Sequence, residues 1–179
     1  MEAERARPRR GILPQRDGER PLSTIVLRQA SFPEDSASVS SLLDDYLRQT
    51  ETEKAEHGLV PPTDPLPERY RQEVAHPAES LNGLRVIVAN AEGEDCGLVV
   101  VGASASGASE IKRFWTTPAA RGRGVGSALI GEALRGIDRP VRLSVWEWRE
   151  PAIQLYKKLG FVSAVPWDDR EGLLCLELA

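Results

Sequence analysis

The sequence predicts one α/β domain built on a mixed sheet with helices on both faces. Strand-like runs cluster between residues 84 and 116. An apolar helical stripe precedes them, and the chain then alternates strand, helix, strand, helix, strand to its end. The size fits: 179 residues, 41% hydrophobic and 28% charged, is one ordinary globular domain with a small surplus. The surplus is expected at Met1–Pro21, an Arg-rich polar stretch with three prolines, which reads as a disordered tail before a domain over 22–179.

Within the domain, Ser23–Arg28 reads as a short β-branched strand. Asp35 or Ser36 then stands where a helix cap belongs. Val39, Leu42, Leu43, Tyr46 and Leu47 follow at i, i+3, i+4, i+7 and i+8, one helical stripe. Glu51–Pro67 is polar and proline-rich and reads as a long loop, and Pro67–Ala75 as a short helix with proline in its first turn. Leu84–Ala89, Cys96–Ala103 and Glu110–Thr116 read as strands separated by a tight turn at Ala91–Asp95 and a small-residue turn at Ser104–Ser109. A helix is expected from Gly124 to about Ile137, a strand at Val141–Trp146, and a helix at Glu150–Leu159 with Pro151 near its start and Gly160 beyond its end. Leu173–Leu178 is the closing strand.

Composition removes several classes. The longest apolar run, Gly97–Ala103, is too short to span a bilayer, and no signal peptide is legible. Cys96 and Cys175 lie far apart with no partner at metal spacing, so neither a disulfide scaffold nor a metal site is expected. Two buried thiols in a reducing cytoplasm is the plain reading. The net charge is −4. It is uneven, +2 over residues 1–20, −9 over 21–110 and +3 over 111–179. The overall acidity argues against nucleic acid as the main partner.

The most informative segment is Arg121-Gly122-Arg123-Gly124-Val125-Gly126-Ser127, between a predicted strand and a predicted helix. Glycines let a backbone adopt positive φ and approach a ligand closely. The free N–H groups and dipole of a helix start favour an anion, and two arginines add charge. Such a turn suits phosphates. It matches neither the dinucleotide fingerprint, which wants glycine where Ser127 stands, nor the triphosphate loop, which wants Gly-Lys-Ser/Thr. A flexible connector is the structural alternative.

In this setting the sequence resembles the GNAT acetyltransferase superfamily. Arg121, Gly124 and Gly126 match its Arg/Gln-x-x-Gly-x-Gly/Ala signature, and Pro151-Ala-Ile-Gln-Leu-Tyr-Lys-Lys-Leu-Gly-Phe161 matches its second block in the expected order and spacing. The resemblance implies a mostly antiparallel sheet of six or seven strands that splays open, with acetyl-CoA as cosubstrate in the gap and no metal. It implies that Arg121, Gly122, Arg123, Gly124, Val125, Gly126 and Ser127 hold the pyrophosphate. It implies that Phe114, Trp115 and Thr116 pair with the pantetheine arm, and that a bulge there aims an N–H at the thioester carbonyl. Tyr156 matches the family's tyrosine as proton donor to the leaving thiolate, with core packing as the alternative. Glu110 stands where some members keep a catalytic base, with an edge-strand position or salt bridge as the alternative. Arg149 departs from the pattern, because many relatives have asparagine there against the cofactor arm. Either that contact is lost or Arg149 makes another, and it is counted with the cofactor residues. Trp115, Trp146 and Trp148 are core residues or an aromatic wall for a substrate amine.

The implied activity is acetyl transfer to a primary amine of a small molecule or peptide by direct attack in a ternary complex. The alternative is a catalytically weak acyl-CoA-binding sensor of the same fold. The acidic segment 21–110 hints at a cationic acceptor. No membrane or nucleic-acid partner is expected, the location expected is cytoplasmic, and a homodimer is left open.

Overall fold

The computed structural model describes residues 24–62 and 65–179. The tail expected over 1–21 lies outside the described residues. The first strand, β1, runs Ile25–Gln29, and the first helix, α1, runs Ser36–Glu56. Two short helices follow, α2 at Glu68–Ala75 and α3 at Pro77–Ser80. Then come β2 (Arg85–Ala91), β3 (Glu94–Ala103), β4 (Ser109–Thr116), a 3-10 turn at Pro118–Ala120, and α4 (Val125–Ala133). The chain closes with β5 (Val141–Trp146), α5 (Glu150–Lys158), β6 (Val162–Ser163) and β7 (Leu173–Leu178).

The seven strands form one sheet in the order β1-β2-β3-β4-β5-β7-β6. Every neighbouring pair is antiparallel except β4 with β5. Central strands buried on both faces explain the continuous apolar runs seen in the sequence. Val86, Val88, Leu98 and Val100 face one cluster with Val39, Leu42, Leu43 and Leu47 of α1. Their alternates Ile87, Ala89, Val99 and Val101 face the other, with Leu129, Ile130 and Ala133 of α4 and Ile153 of α5. The period-two pattern thus assigns one helix layer to each face.

The departures from expectation have local causes. Helix α1 continues six residues into the segment read as loop, Glu51–Glu56. Five of the six, all but Thr52, are good helix formers, and buried Glu51 accepts from Lys54 at 2.7 Å, so polarity marked a paired helix end rather than a loop. Asp35 sits at the N-cap of α1 without capping it. Its carboxylate instead accepts from the Ser31 N–H at 2.8 Å and from Arg28 at 2.7 Å. Pro67 precedes α2 rather than entering its first turn. Helix α4 stops at Ala133, short of Ile137, where the turn at Gly136 takes φ +68°. The two-residue β6 and the single-turn α3 carry too little pattern to be read from sequence.

Candidate functional site

Strands β4 and β5 pair only through Ser109–Val141, Glu110–Arg142 and Ile111–Leu143. Beyond Ile111 they diverge, and a cleft of about 970 Å³ opens between Lys112–Thr116 and Ser144–Trp146. Helix α1 lines one side and α5 the other. The register of β3 with β4 slips between Val100 and Val101, which leaves Lys112 as the extra residue of a β-bulge. The bulge therefore sits at the mouth of the divergence, not within Phe114–Thr116 as expected.

At one end of the cleft the chain turns from β4 into α4. Gly122 and Gly124 have φ of +73° and +86°, values that suit residues without a Cβ. A Cβ at Gly122 would meet nothing within 4 Å, and one at Gly124 only Ile25 Cδ1 at 3.9 Å, so the turn presents bare backbone to open space. Among the described residues no side chain caps α4, whose first bond runs from the Ala128 N–H to Gly124 O at 3.0 Å. The preceding N–H groups lack helical acceptors by geometry. An open, glycine-lined and uncapped helix start fits an anionic group such as a pyrophosphate.

The side chains of the turn divide. Arg121, Gly122, Gly124, Gly126 and Ser127 line the cleft. Arg121 donates to Thr116 O at 3.3 Å and Gln49 Oε1 at 3.1 Å, and its guanidinium lies 4.8 Å from the Trp115 ring centre. Val125 is a core residue, 1% exposed, and Arg123 reaches Glu92 of the β2–β3 hairpin at 2.6 Å. Helical geometry turns the Val125 side chain inward and the hairpin carboxylate holds that of Arg123, which leaves these two residues the backbone N–H groups for which they were counted. Only their backbone remains at the turn.

Phe114, Trp115 and Thr116 all line the cleft. Phe114 packs with the α4 and α5 layer, Trp115 with α1. The Trp115 indole N–H is buried without a partner among the described residues. Tyr156, on α5, is 4% exposed and lines the cleft, with its ring 6.0 Å from Phe114 and 5.7 Å from Phe161. Burial pushes its phenol well above the ordinary tyrosine value, which makes the hydroxyl a weaker acid than a solvated tyrosine. Glu110 also lines the cleft and accepts from Lys112 Nζ at 2.8 Å. It is a salt-bridged residue of an interior strand, because β4 is paired on both sides at this position.

Arg149, at the N-cap of α5, donates to Glu53 Oε2 at 2.8 Å and Thr50 Oγ1 at 2.7 Å and lies 5.4 Å over the Tyr46 ring. Its side chain ties α5 to α1. The extended α1 sets Thr50 and Glu53 opposite it, and the residue also lines the cleft. Trp148 donates to the same Glu53 oxygen at 3.0 Å. Glu53 is held below the usual carboxylate range: burial opposes ionisation, but bonds from Gln49 and Arg149 and the Arg149 charge overcome it. The sequence reading missed Gln49, Thr50 and Glu53. The only signal for them was helical spacing carried past the apolar stripe.

Trp146 and Trp148 stack at 4.9 Å and 8°, and His57 stacks on Trp148 at 3.9 Å. The two tryptophans line the cleft as well as packing in it. The cleft lining carries seven Lys or Arg against three Asp or Glu. The acidic excess of 21–110 does not reach the cleft: Glu53 and Glu110 are its only acids there. The expectation of a cationic acceptor drawn from that excess is therefore not supported by the site. Among the described residues no group of His, Cys, Asp and Glu could hold a metal, and no helix is long and apolar enough to cross a membrane.

The model of the acetyltransferase (GNAT) domain matches residues 82–163, which span β2 to β6. Among solved structures, one described as histone acetyltransferase HPA2 and related acetyltransferase, from Corynebacterium glutamicum, is 23% identical, with a TM-score of 0.66 over 86% of this chain and 94% of its own. The PaiA N-acetyltransferase of Thermoplasma acidophilum, solved in complex with coenzyme A, is 20% identical, with a TM-score of 0.59 over 86% of this chain and 98% of its own. An acetyltransferase from Thermus thermophilus is 16% identical, with a TM-score of 0.61 over 88% and 97%. No curated protein matches the chain. The splayed seven-stranded sheet is the fold these structures share.

Proposed function

Through residues 82–163 this chain belongs to the GNAT acetyltransferase superfamily, and on that premise we propose that it moves the acetyl group of acetyl-CoA to a primary amine by direct attack in a ternary complex. The observation that carries the proposal is the joining of two features. The sheet opens after Ile111, and the uncapped, glycine-lined start of α4 stands at the edge of that opening. An extended thioester with an anionic end needs both.

The backbone of Arg121–Ser127 holds the pyrophosphate, with Arg121 swinging from Gln49 to add charge. The exposed edge of Phe114–Thr116 receives the pantetheine arm by strand addition. Tyr156 protonates the departing thiolate: its position beside Phe114 sets it against the arm. Glu110 relays the amine proton through water, with Lys112 holding its carboxylate in place. Arg149 positions α1 against α5. The catalytic domain is residues 22–179, and residues 1–21 are dispensable to it. Two unpaired, buried cysteines support a cytoplasmic location.

The test is release of free thiol from acetyl-CoA across a panel of amines, with titration calorimetry of acetyl-CoA alongside. The expected result is amine-dependent thiol release. Tight acetyl-CoA binding with no release for any amine would favour the sensor reading instead, and absence of binding would sink both.

A further inference from the structure

Past Tyr70, Arg113 and Arg170 the cleft continues into a side recess of about 270 Å³, walled by these three residues with Arg69 and Glu73. Three guanidinium groups from three elements meet here: Arg69 from α2, Arg113 from β4, and Arg170 from the loop before β7. Arg113 donates two bonds to Glu73, both at 2.9 Å, and Arg170 two to Asp168, at 2.9 and 2.6 Å. Each acid holds its arginine in a fixed orientation. Arg69 folds back over the Tyr70 ring, 4.5 Å from its centre, and donates to the Tyr70 hydroxyl at 2.8 Å. Among the described residues it pairs with no carboxylate. The recess with the partners of its arginines therefore carries three positive charges against two negative ones. The Tyr70 hydroxyl accepts from Arg69 and keeps its own proton to donate.

We propose that this recess binds the carboxylate of the acceptor, so that the acceptor class is an amine that also carries a carboxylate. The inference rests on the acetyl-transfer reading and names the substrate of that site. One uncompensated charge matches one carboxylate. A phosphate dianion would leave the recess negative, and a polyamine would meet three guanidinium groups. The recess lies on the face of β4 that carries Trp115 and α1, because Arg113 alternates with Phe114, whose ring belongs to the opposite layer. A carboxylate held there enters from the side opposite the Phe114–Tyr156 pair, and its amine points into the open end of the sheet.

The experiment uses the full chain, acetyl-CoA, and matched acceptors: one amine as its free carboxylate, the same amine as its carboxamide, and a linear diamine. The expected result is a kcat/KM about tenfold or more higher for the carboxylate, carried by KM. In Arg69→Gln the KM for the carboxylate acceptor should rise toward that of the carboxamide, so that the preference between the two forms is lost. A carboxamide or diamine used as well as the carboxylate overturns the proposal, as does an unchanged preference in Arg69→Gln. If no acceptor in any form releases thiol, the acetyl-transfer reading fails by itself. The recess is then decided by calorimetry with the same ligands: binding of the carboxylate form alone, lost in Arg69→Gln, upholds it, and equal binding of both forms overturns it.

Discussion

A Cβ placed on Gly126 would lie 3.2 Å from Cζ of Phe114. The first turn of α4 is thus pressed against a side chain of the strand that lines the cleft, and any larger residue at 126 must push Phe114. Gly126 is helical, with no positive φ to protect. Gly126→Ala should gain about 0.5–1 kcal/mol of helix propensity and lose a similar amount in contact with Phe114. We predict a melting temperature within a few degrees of wild type and weakened acetyl-CoA binding, measured by calorimetry. Unchanged affinity would show that Phe114 moves without disturbing the cleft edge.

Gly124 is the opposite case. It has space but needs φ +86°. Gly124→Ala should cost about 1–2 kcal/mol of stability through the left-handed backbone alone, read from denaturant unfolding. Gly131, a helical glycine with nothing near its Cβ position, is the control; Gly131→Ala should stabilise by up to about 1 kcal/mol.

Tyr156→Phe keeps the ring between Phe114 and Phe161 and removes the hydroxyl. If the hydroxyl protonates the thiolate, kcat should fall by about 10²–10⁴ with little change in KM for acetyl-CoA. The raised pKa adds a pH signature. The folded phenol holds its proton above the unfolded value near 10, so its stability contribution is intact below about pH 10 and lost as pH rises beyond it. The alkaline unfolding limb should therefore shrink in Tyr156→Phe. Full activity in the variant would return Tyr156 to packing.

Arg28 binds both oxygens of Asp95, at 2.8 and 2.6 Å, and Ser38 and Asn90 donate to the same carboxylate. Led by the Arg28 bond, these hold Asp95 far below the usual carboxylate range. A depressed folded pKa stabilises above the unfolded value near 3.9 and is lost as pH falls toward the folded one. We predict that Asp95→Asn destabilises by roughly 1–3 kcal/mol at neutral pH and flattens the stability loss of wild type below about pH 4. Parallel acid titrations of the two proteins would refute a role for Asp95.

The Arg149–Glu53 pair joins α5 to α1 with both side chains 17% exposed. A double-mutant cycle with Arg149→Gln and Glu53→Gln should give a coupling of about 1–3 kcal/mol in stability. Coupling near zero would mark the pair as incidental.

How far the sequence carried this reading differs by element. The closing strand Leu173–Leu178 and β5 were legible to the residue, because they are short apolar runs bounded by turn residues. The glycine turn was legible as a turn, since positive φ at Gly122 and Gly124 is written in the residue type. The side chains beside it were not. Whether Arg123 faces the cleft or Glu92 depends on a hairpin 31 residues away. Glu53 and Thr50 escaped notice because a polar helix end has no apolar stripe to reveal it, and their meeting with Arg149 spans almost 100 residues. The basic recess was invisible for the same reason: Arg69, Arg113 and Arg170 converge only through the sheet.

Three residue pairs are all that join β4 to β5, and beyond them the middle of the sheet has two free edges. Free edges invite foreign strands and aggregation, and proteins usually shorten, charge or cover the outer ones. Here the vulnerable edges lie inside the molecule, between α1 and α5. Helices α1 and α5 flank both edges, so they are set back from the outer rim of the sheet, where a strand of another molecule would meet an unpaired edge first.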